Sequence, residues 1–201
     1  QTPGEYTVRL EVSNGTFNRT LLLDNSVRVF DGESALSFTE VASVVQVTAD
    51  SQLNITRNLT LEAWIYPTGW GKHQLFGYGR IVDKKNFSLY VQATKPGQHD
   101  SCLVFQMKDE IGTMSTLFTP SNSIQLNSWQ HVAVTYDGSS GGVTLYIDGY
   151  EQVLTSVNSP TGFIEDHLQD PLYLGGNQNG LAFEGAIDEG RVWNTLLSGT
   201  D

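Results

Sequence analysis

Cysteine is almost absent from this chain, because Cys102 is the only one among 201 residues. No intramolecular disulfide can form, which excludes a small domain held together by disulfide bridges. A chain of this length buries roughly 70% of the surface that its unfolded form exposes, so it needs no bridge to hold a core. Cys102 stands in the apolar segment 102–105, and we predict that it is a small buried residue, not a reactive thiol.

Basic residues are also scarce, with 11 Lys and Arg against 22 Asp and Glu and a formal net charge of −11. The longest basic cluster is Lys84-Lys85. Nucleic acid and anionic membrane surfaces are disfavoured as partners, since both need a clustered positive patch. No run approaches the roughly 20 apolar residues of a membrane-spanning helix. Because the chain begins at Gln1, we expect it to be tethered to other domains of a longer protein.

Alternation of apolar and polar residues dominates what is present, and it predicts strands with less than about 10% helix. The clearest alternating segments are 6–12 and 59–66, and further strands are predicted over 102–108 and 129–136. Lys84-Lys85-Asn86 is predicted to join two strands as a hairpin. Asp137-Gly138 and Asp148-Gly149 predict hairpin turns, because glycine adopts positive φ without steric cost. The Gly-rich segment 175–180 predicts a turn, not a phosphate-binding loop, since no helix follows it. This pattern indicates an all-β sandwich or barrel.

Three segments resemble a known family. They are LNITRNLTLEAWIYP (53–67), WQHVAVTYDG (129–138) with LYIDG (145–149), and LYLGG (172–176) with FEGAIDEGRVWN (183–194). Their residues, order and spacing resemble the laminin-G-like family of concanavalin A-like sandwiches. The resemblance implies a two-sheet antiparallel jelly-roll sandwich, which we assign to residues 31–201. One position departs from the family pattern, because Gly190 stands where the family usually has an apolar residue.

The first 30 residues resemble a different unit. Residues 3–15 look like the closing hairpin of a polycystic-kidney-disease (PKD) domain, a small Ig-like spacer of extracellular proteins. The alternative is an N-terminal extension that pairs with the sandwich. We predict the boundary between the two parts near Phe30-Asp31.

Three tryptophans, Trp64, Trp129 and Trp193, stand in or beside apolar strands, and we predict that all three are core anchors. His131 lies inside an apolar strand and is predicted to be structural, not catalytic.

The sequence offers no convincing catalytic group. Glycosidases on this scaffold use two carboxylates that face the cleft. The nearest candidates here are Glu184, Asp188 and Glu189, which fall in a turn and at the start of a strand. We therefore predict that the chain is not an enzyme.

The family resemblance also implies a Ca²⁺ site, which many members build from loop carbonyls and a few acids. Such a hard cation takes about six to eight oxygen ligands. The candidates are Asp31, Gly32 and Glu33 at the start of the sandwich and Asp188 near its end, because terminal strands of an antiparallel sandwich commonly pair. The alternative is that Asp31-Gly32 only turns the chain and that Asp188 is solvated or hydrogen-bonded.

Carbohydrate recognition needs an exposed aromatic face for stacking and planar polar side chains for hydrogen bonds. Trp70 stands between two glycines where strand alternation has stopped, and residues of neighbouring loops are expected to join it. The candidate ligand-binding residues are Trp70, Tyr78, Arg80, His99 and Asp100. The alternative for Trp70 is packing over the edge of the sandwich.

These observations favour a non-catalytic recognition module of a secreted or cell-surface protein, with a glycan as its ligand. Two alternatives stay open, a protein–protein adhesion module and a spacer without a ligand, because a fold does not fix a function.

The predicted Ca²⁺ site can be tested by thermal unfolding. A ligand that binds only the folded state at ~100-fold excess over its dissociation constant adds about 2.7 kcal/mol to the free energy of unfolding. The melting temperature should therefore rise with Ca²⁺ and fall with chelator, and Asp188→Ala should abolish the response. A melting curve that EDTA leaves unchanged would count against the site.

Overall fold

The computed structural model of the chain describes residues 4–13, 18–29, 35–40, 43–71, 77–93 and 99–197, and of residues 4–29 it describes the backbone alone. The strands are β1 (Gly4–Ser13), β2 (Asn18–Val29), β3 (Leu36–Phe38), β4 (Val45–Val47), β5 (Leu59–Pro67), β6 (Gly77–Lys84), β7 (Phe87–Ala93), β8 (Cys102–Lys108), β9 (Met114–Phe118), β10 (Gln130–Asp137), β11 (Gly142–Ile147), β12 (Tyr150–Glu151), β13 (Thr155–Val157), β14 (Leu172–Leu174) and β15 (Gly185–Trp193).

Helix is nearly absent, as the sequence predicts. A single 3-10 turn, Ser51–Leu53, is all the helix in the described ranges. It begins at Asp50, whose carboxylate accepts a hydrogen bond from the amide of Gln52, and this satisfies a donor at the start of the turn. Nowhere in the described part of the chain does a helix have the length and apolar character needed to cross a membrane.

The strands form two large antiparallel sheets that face each other across the core. One has six strands in the order β12-β11-β10-β5-β15-β3, and the other has seven in the order β13-β9-β8-β7-β6-β14-β4. The predicted two-sheet jelly-roll sandwich is therefore confirmed. The predicted turn at Lys84-Lys85-Asn86 also forms, since Lys84 of β6 pairs with Phe87 of β7.

The core contains alternate residues of the central strands. Leu59, Leu61, Ala63 and Ile65 of β5 are fully buried and face the interior. On the opposite sheet the buried residues include Phe87, Leu89 and Val91 of β7 and Leu103, Phe105 and Met107 of β8, which pair across these two strands. Alternation thus assigns one side of each sheet to the core.

The prediction that three tryptophans anchor the core is wrong. Trp64, Trp129 and Trp193 are 40%, 36% and 39% exposed. Trp64 alternates with the core residues of β5 and therefore points away from the interior. Trp193 pairs with Thr60, which lies on the same outer side of β5. The position of each tryptophan in the alternation of its strand decides whether it faces the core, and hydrophobic character alone does not.

The two turns predicted at Asp-Gly pairs agree with the structure to different degrees. Asp148 and Gly149 have φ of 51° and 78° and join β11 to β12, as predicted. After Asp137 the chain also turns, but the residue with positive φ is Gly141 (φ 73°). Gly138 is instead required for close packing, because a Cβ there would meet the carbonyl oxygen of Arg57 at 2.6 Å.

Gly190, the departure from the family pattern, lies in a break of strand pairing. The register of β15 on β5 shifts between Asp188 and Arg191, and Glu189 has φ of 47°. Gly190 is exposed at this bulge, so no apolar side chain is needed there.

The chain divides into two compact units, 1–37 and 38–201. Within the first, β1 and β2 form an antiparallel hairpin whose register shifts between Tyr6 and Val8. The boundary predicted at Phe30-Asp31 falls outside the described residues. The assignment of this hairpin to a PKD-like spacer stays a prediction.

The core can be tested with one buried leucine. Leu89→Ala should lower the free energy of unfolding by about 2–5 kcal/mol, because it removes buried methyl groups and leaves a cavity. Val153 is 83% exposed, so Val153→Ala should change the stability by no more than about 0.5 kcal/mol. Urea denaturation measures both. Equal effects of the two substitutions would contradict the assignment of the core.

Candidate functional site

A cleft of about 500 Å³ opens on the outer side of the seven-stranded sheet, away from the core. Polar residues that alternate with core residues line its floor, including Ser88 of β7 and Gln106 of β8, which are cross-strand partners. Arg80 and Asp83 of β6 and Tyr173 of β14 continue this floor. Its rim includes Asn177, Gln178 and Asn179.

Arg80 is held on three sides. Its guanidinium lies over the ring of Tyr90, 4.0 Å from the centroid, and donates a hydrogen bond to the Ser88 hydroxyl. Its Nε lies 3.5 Å from Asp83 Oδ1, and this buried nitrogen has no hydrogen-bond partner. Burial raises the pKa of Tyr90 to about 12, so the ring beneath the cation stays neutral. The guanidinium is therefore fixed in place with donor capacity left over.

Asp83 is a carboxyl group with a shifted pKa. Burial raises the pKa from its ordinary value of 3.8 to about 6, although the Arg80 charge and a hydrogen bond with Asn177 act in the opposite direction. Such a group in a cleft is a candidate for a functional role.

The Gly-rich segment 175–180 forms the predicted turn, and this turn supplies the rim. Asn177 Oδ1 accepts hydrogen bonds from the amides of Asn179 and Leu181, and Gly180 has φ of 72°. Gln178 donates a hydrogen bond to the Tyr173 hydroxyl. Planar amides are thereby presented around an aromatic ring, an arrangement that the sequence analysis did not assign to a site.

A loop that includes Asp170 and Pro171 forms another part of the cleft lining. Lys84 is 3% exposed, and its ammonium donates to the carbonyl oxygens of His167 (3.0 Å) and Asp170. Burial lowers the pKa of Lys84. The His167 ring lies between Asp170 Oδ2 (2.8 Å) and Glu165 Oε2 (2.7 Å). Glu165 also pairs with Lys108 at 2.9 Å, so charge interactions tie the loop to the ends of β6 and β8.

Only Arg80 among the five predicted ligand-binding residues lines the cleft. The expectation that Tyr78 and Arg80 come from loops is wrong, because both lie in β6. Tyr78 packs edge-on against Tyr90, with 5.8 Å between ring centroids. Trp70 is half-buried in the loop that follows β5.

His99 and Asp100 lie near the other end of the same sheet. His99 stacks on Phe118 at 4.4 Å, and Phe118 and Tyr78 pack against a small cluster of Tyr90, Cys102 and Val104. The carbonyl oxygen of Asp100 accepts a hydrogen bond from the amide of Asn122, which joins the segment before β8 to the loop after β9. Cys102 is fully buried, as predicted, and burial raises the pKa of its thiol to about 12.

The predicted Ca²⁺ ligands cannot be assembled from the described residues. Asp31, Gly32 and Glu33 lie outside them, and Asp188 Oδ1 accepts the amide of Glu189 at 2.8 Å. Across the described ranges no three His, Cys, Asp or Glu side chains group closely enough to hold a metal ion. The Ca²⁺ site stays a prediction.

The described residues form a sandwich of two antiparallel sheets with almost no helix. The chain belongs to the concanavalin A-like lectin/glucanases superfamily, whose family model matches residues 39–201. No curated protein sequence matches it.

Several solved structures share the fold at low sequence identity. The binding domain of Paraclostridial Mosquitocidal Protein 1 is 21% identical, with a TM-score of 0.63 over 98% of this chain and 50% of that one. The carbohydrate-binding module CBM40 of a Ruminococcus gnavus IT-sialidase is 15% identical, with a TM-score of 0.60 over 84% and 94%. A putative carbohydrate binding protein of Bacteroides ovatus is 18% identical, with a TM-score of 0.57 over 91% and 53%.

The shifted pKa of Asp83 predicts a pH dependence of stability. Because the folded-state pKa of about 6 exceeds the ordinary 3.8, the folded state binds the proton more tightly. The stabilisation is complete below about pH 4 and is lost as the pH rises through 6, by up to about 3 kcal/mol. Asp83→Asn should remove this component, so the difference in unfolding free energy between native protein and variant should change between pH 4 and pH 7. A constant difference would contradict the shift.

Proposed function

We propose that the cleft binds carbohydrate and that the domain is a non-catalytic recognition module. The observation that carries the proposal is the set of planar polar groups, Arg80, Asn177 and Gln178, which line the cleft together and are held by hydrogen bonds and, for Arg80, by stacking on the ring of Tyr90. Sugars present pairs of hydroxyl groups that such groups bind. Binding to groups already held in position costs little side-chain entropy.

The fold relatives support the same ligand class. One structure of the Ruminococcus gnavus module contains α2,3-sialyllactose, and the Bacteroides ovatus relative is described as a putative carbohydrate binding protein. The cleft of this chain carries charges of both signs, Arg80 and Lys85 against Asp83 and Asp170. The first binding test should therefore include both neutral and acidic oligosaccharides.

The engaged state of the acidic residues argues against hydrolysis. A glycosidase needs one carboxyl group as acid and a second as base or nucleophile. Asp170 contacts His167, while Asp83 contacts Arg80 and Asn177. Both carboxyl groups that line the cleft therefore contact groups of the protein itself, and we propose that they hold the site in place for binding.

The wider proposal is a module of a secreted or cell-surface protein, tethered to further domains, with a Ca²⁺ ion bound near Asp188. Protein–protein adhesion and a ligand-free spacer are the competing functions. A glycan array with and without Ca²⁺ separates carbohydrate binding from these two functions, because both predict that no glycan on the array is bound.

Variants of the cleft test the binding site directly. Arg80→Ala and Gln178→Ala should each weaken binding of the array ligand by about tenfold or more, since each removes an oriented hydrogen-bonding group. Gln178 is exposed, so its substitution should leave the melting temperature unchanged. Isothermal titration calorimetry measures the affinities, and product analysis monitors hydrolysis.

Arg57 provides the matched control. Its guanidinium also lies over an aromatic ring, Phe163, at 4.5 Å, but it does not line the cleft. Arg57→Ala should retain full affinity. If Trp70→Ala abolishes binding while Arg80→Ala and Gln178→Ala bind normally, the ligand contacts the loop after β5 and the assignment to the cleft is wrong.

A further inference from the structure

A second ordered set of aromatic side chains covers the opposite side of the sandwich. Three of the chain's four tryptophans, Trp64, Trp129 and Trp193, are exposed on the outer side of the six-stranded sheet. Tyr66 and His131 lie on the same side, since they alternate with core residues of β5 and β10. We call these five rings, with Glu62 and Arg191 between them, the tryptophan face.

The rings of the tryptophan face are held in orientation by their neighbours. Trp64 meets His131 with 5.4 Å between ring centroids, and Tyr66 meets Trp129 at 5.6 Å. Trp193 donates its indole N–H to Glu62 Oε1 at 3.1 Å. An exposed indole without such a partner would lose more rotamer freedom on binding a ligand.

Glu62 organises the centre of this face. Its carboxylate accepts from Trp193, lies 3.3 Å from the guanidinium of Arg191 and lies 3.5 Å from Nε2 of His131. The aromatic rings therefore surround a charged group that remains accessible from solvent.

The rings form a row along β5. Tyr66, Trp64, Glu62 and Thr60 follow one another on its outer side, and Trp193 is the cross-strand partner of Thr60. Tyr66 lies six residue steps along the strand from Thr60, so the row extends over about 20 Å. The row is therefore several times longer than a single sugar ring.

We propose that the tryptophan face binds an extended, uncharged polysaccharide chain lying along β5. Flat exposed rings suit sugar faces, and the carboxylate and guanidinium between them suit sugar hydroxyls. A protein partner fits poorly, since it would desolvate charges at the centre, where protein interfaces are depleted of them. A polyanion also fits poorly, because Glu62, Asp188 and Glu189 outnumber Arg191 there and the whole chain carries −11.

Affinity electrophoresis tests this proposal with polysaccharides cast into native gels. The neutral probes are hydroxyethyl cellulose, pullulan and soluble starch, and alginate is the anionic comparison. At least one neutral probe should retard the native chain, and alginate should not. The double variant Trp64→Ala/Trp193→Ala should bind the retarding probe about tenfold or more weakly. Trp64→Phe should keep most of the binding, because it retains an aromatic face.

Two controls separate this site from the cleft and from general exposure of aromatic rings. Tyr150 is 76% exposed on β12, away from the row, and Tyr150→Ala should bind as the native chain does. Arg80→Ala should also bind the gel polysaccharide normally, whatever it does to ligands of the cleft. Circular dichroism and the melting temperature establish that the double variant is folded.

Three results would overturn the proposal. In the first, no neutral probe retards the native chain. In the second, the folded double variant is retarded as strongly as the native chain. In the third, size-exclusion chromatography shows a dimer that the double substitution dissociates. The last result would assign the tryptophan face to a second copy of the chain.

Discussion

Side chains on a strand alternate between its two sides, and in a sandwich only one side of each sheet reaches the core. The other side must be covered by other parts of the chain or left to solvent. On the seven-stranded sheet Tyr90, Cys102 and Val104 are buried on that side, and the cleft opens on it. On the six-stranded sheet part of that side, including Thr60 and Ala133, is buried, while exposed aromatic rings stand on another part, where polar residues are usual.

Charge burial gives the cleft its rigidity. Arg80 and Lys84 belong to one strand, yet they are satisfied in different ways, by a ring, a hydroxyl and a carboxylate in the first case and by carbonyl oxygens in the second. A buried cation left without partners costs several kcal/mol, and the carbonyl groups of His167 and Asp170 offset that cost for Lys84. The wall of the cleft is therefore coupled to the stability of the sheet.

The sequence predicted the fold well because apolar and polar residues alternate along the strands and because turn-forming residues such as glycine stand between them. It predicted the hairpin at Lys84-Lys85-Asn86 and the buried Cys102 for this reason. It misplaced Trp64 because indole was taken as apolar without regard to strand phase, although Glu62 stands two residues earlier on the same side. Asp83 and Tyr173 were missed because they are distant in sequence and meet only through pairing of β6 with β14. The predicted ligands in 31–33 lie outside the described residues.

The position of β5 in its sheet affects how the domain folds during synthesis. It lies between β10 and β15 in the six-stranded sheet, and β15 is the last described strand along the chain. A nascent chain therefore emerges with β5 well before its second neighbour has been synthesised. During that interval the free edge of β5 is open to pairing with other chains, and such non-local pairing is intrinsically slow. The acidic excess, by keeping unfinished chains apart, favours folding over aggregation until synthesis is complete.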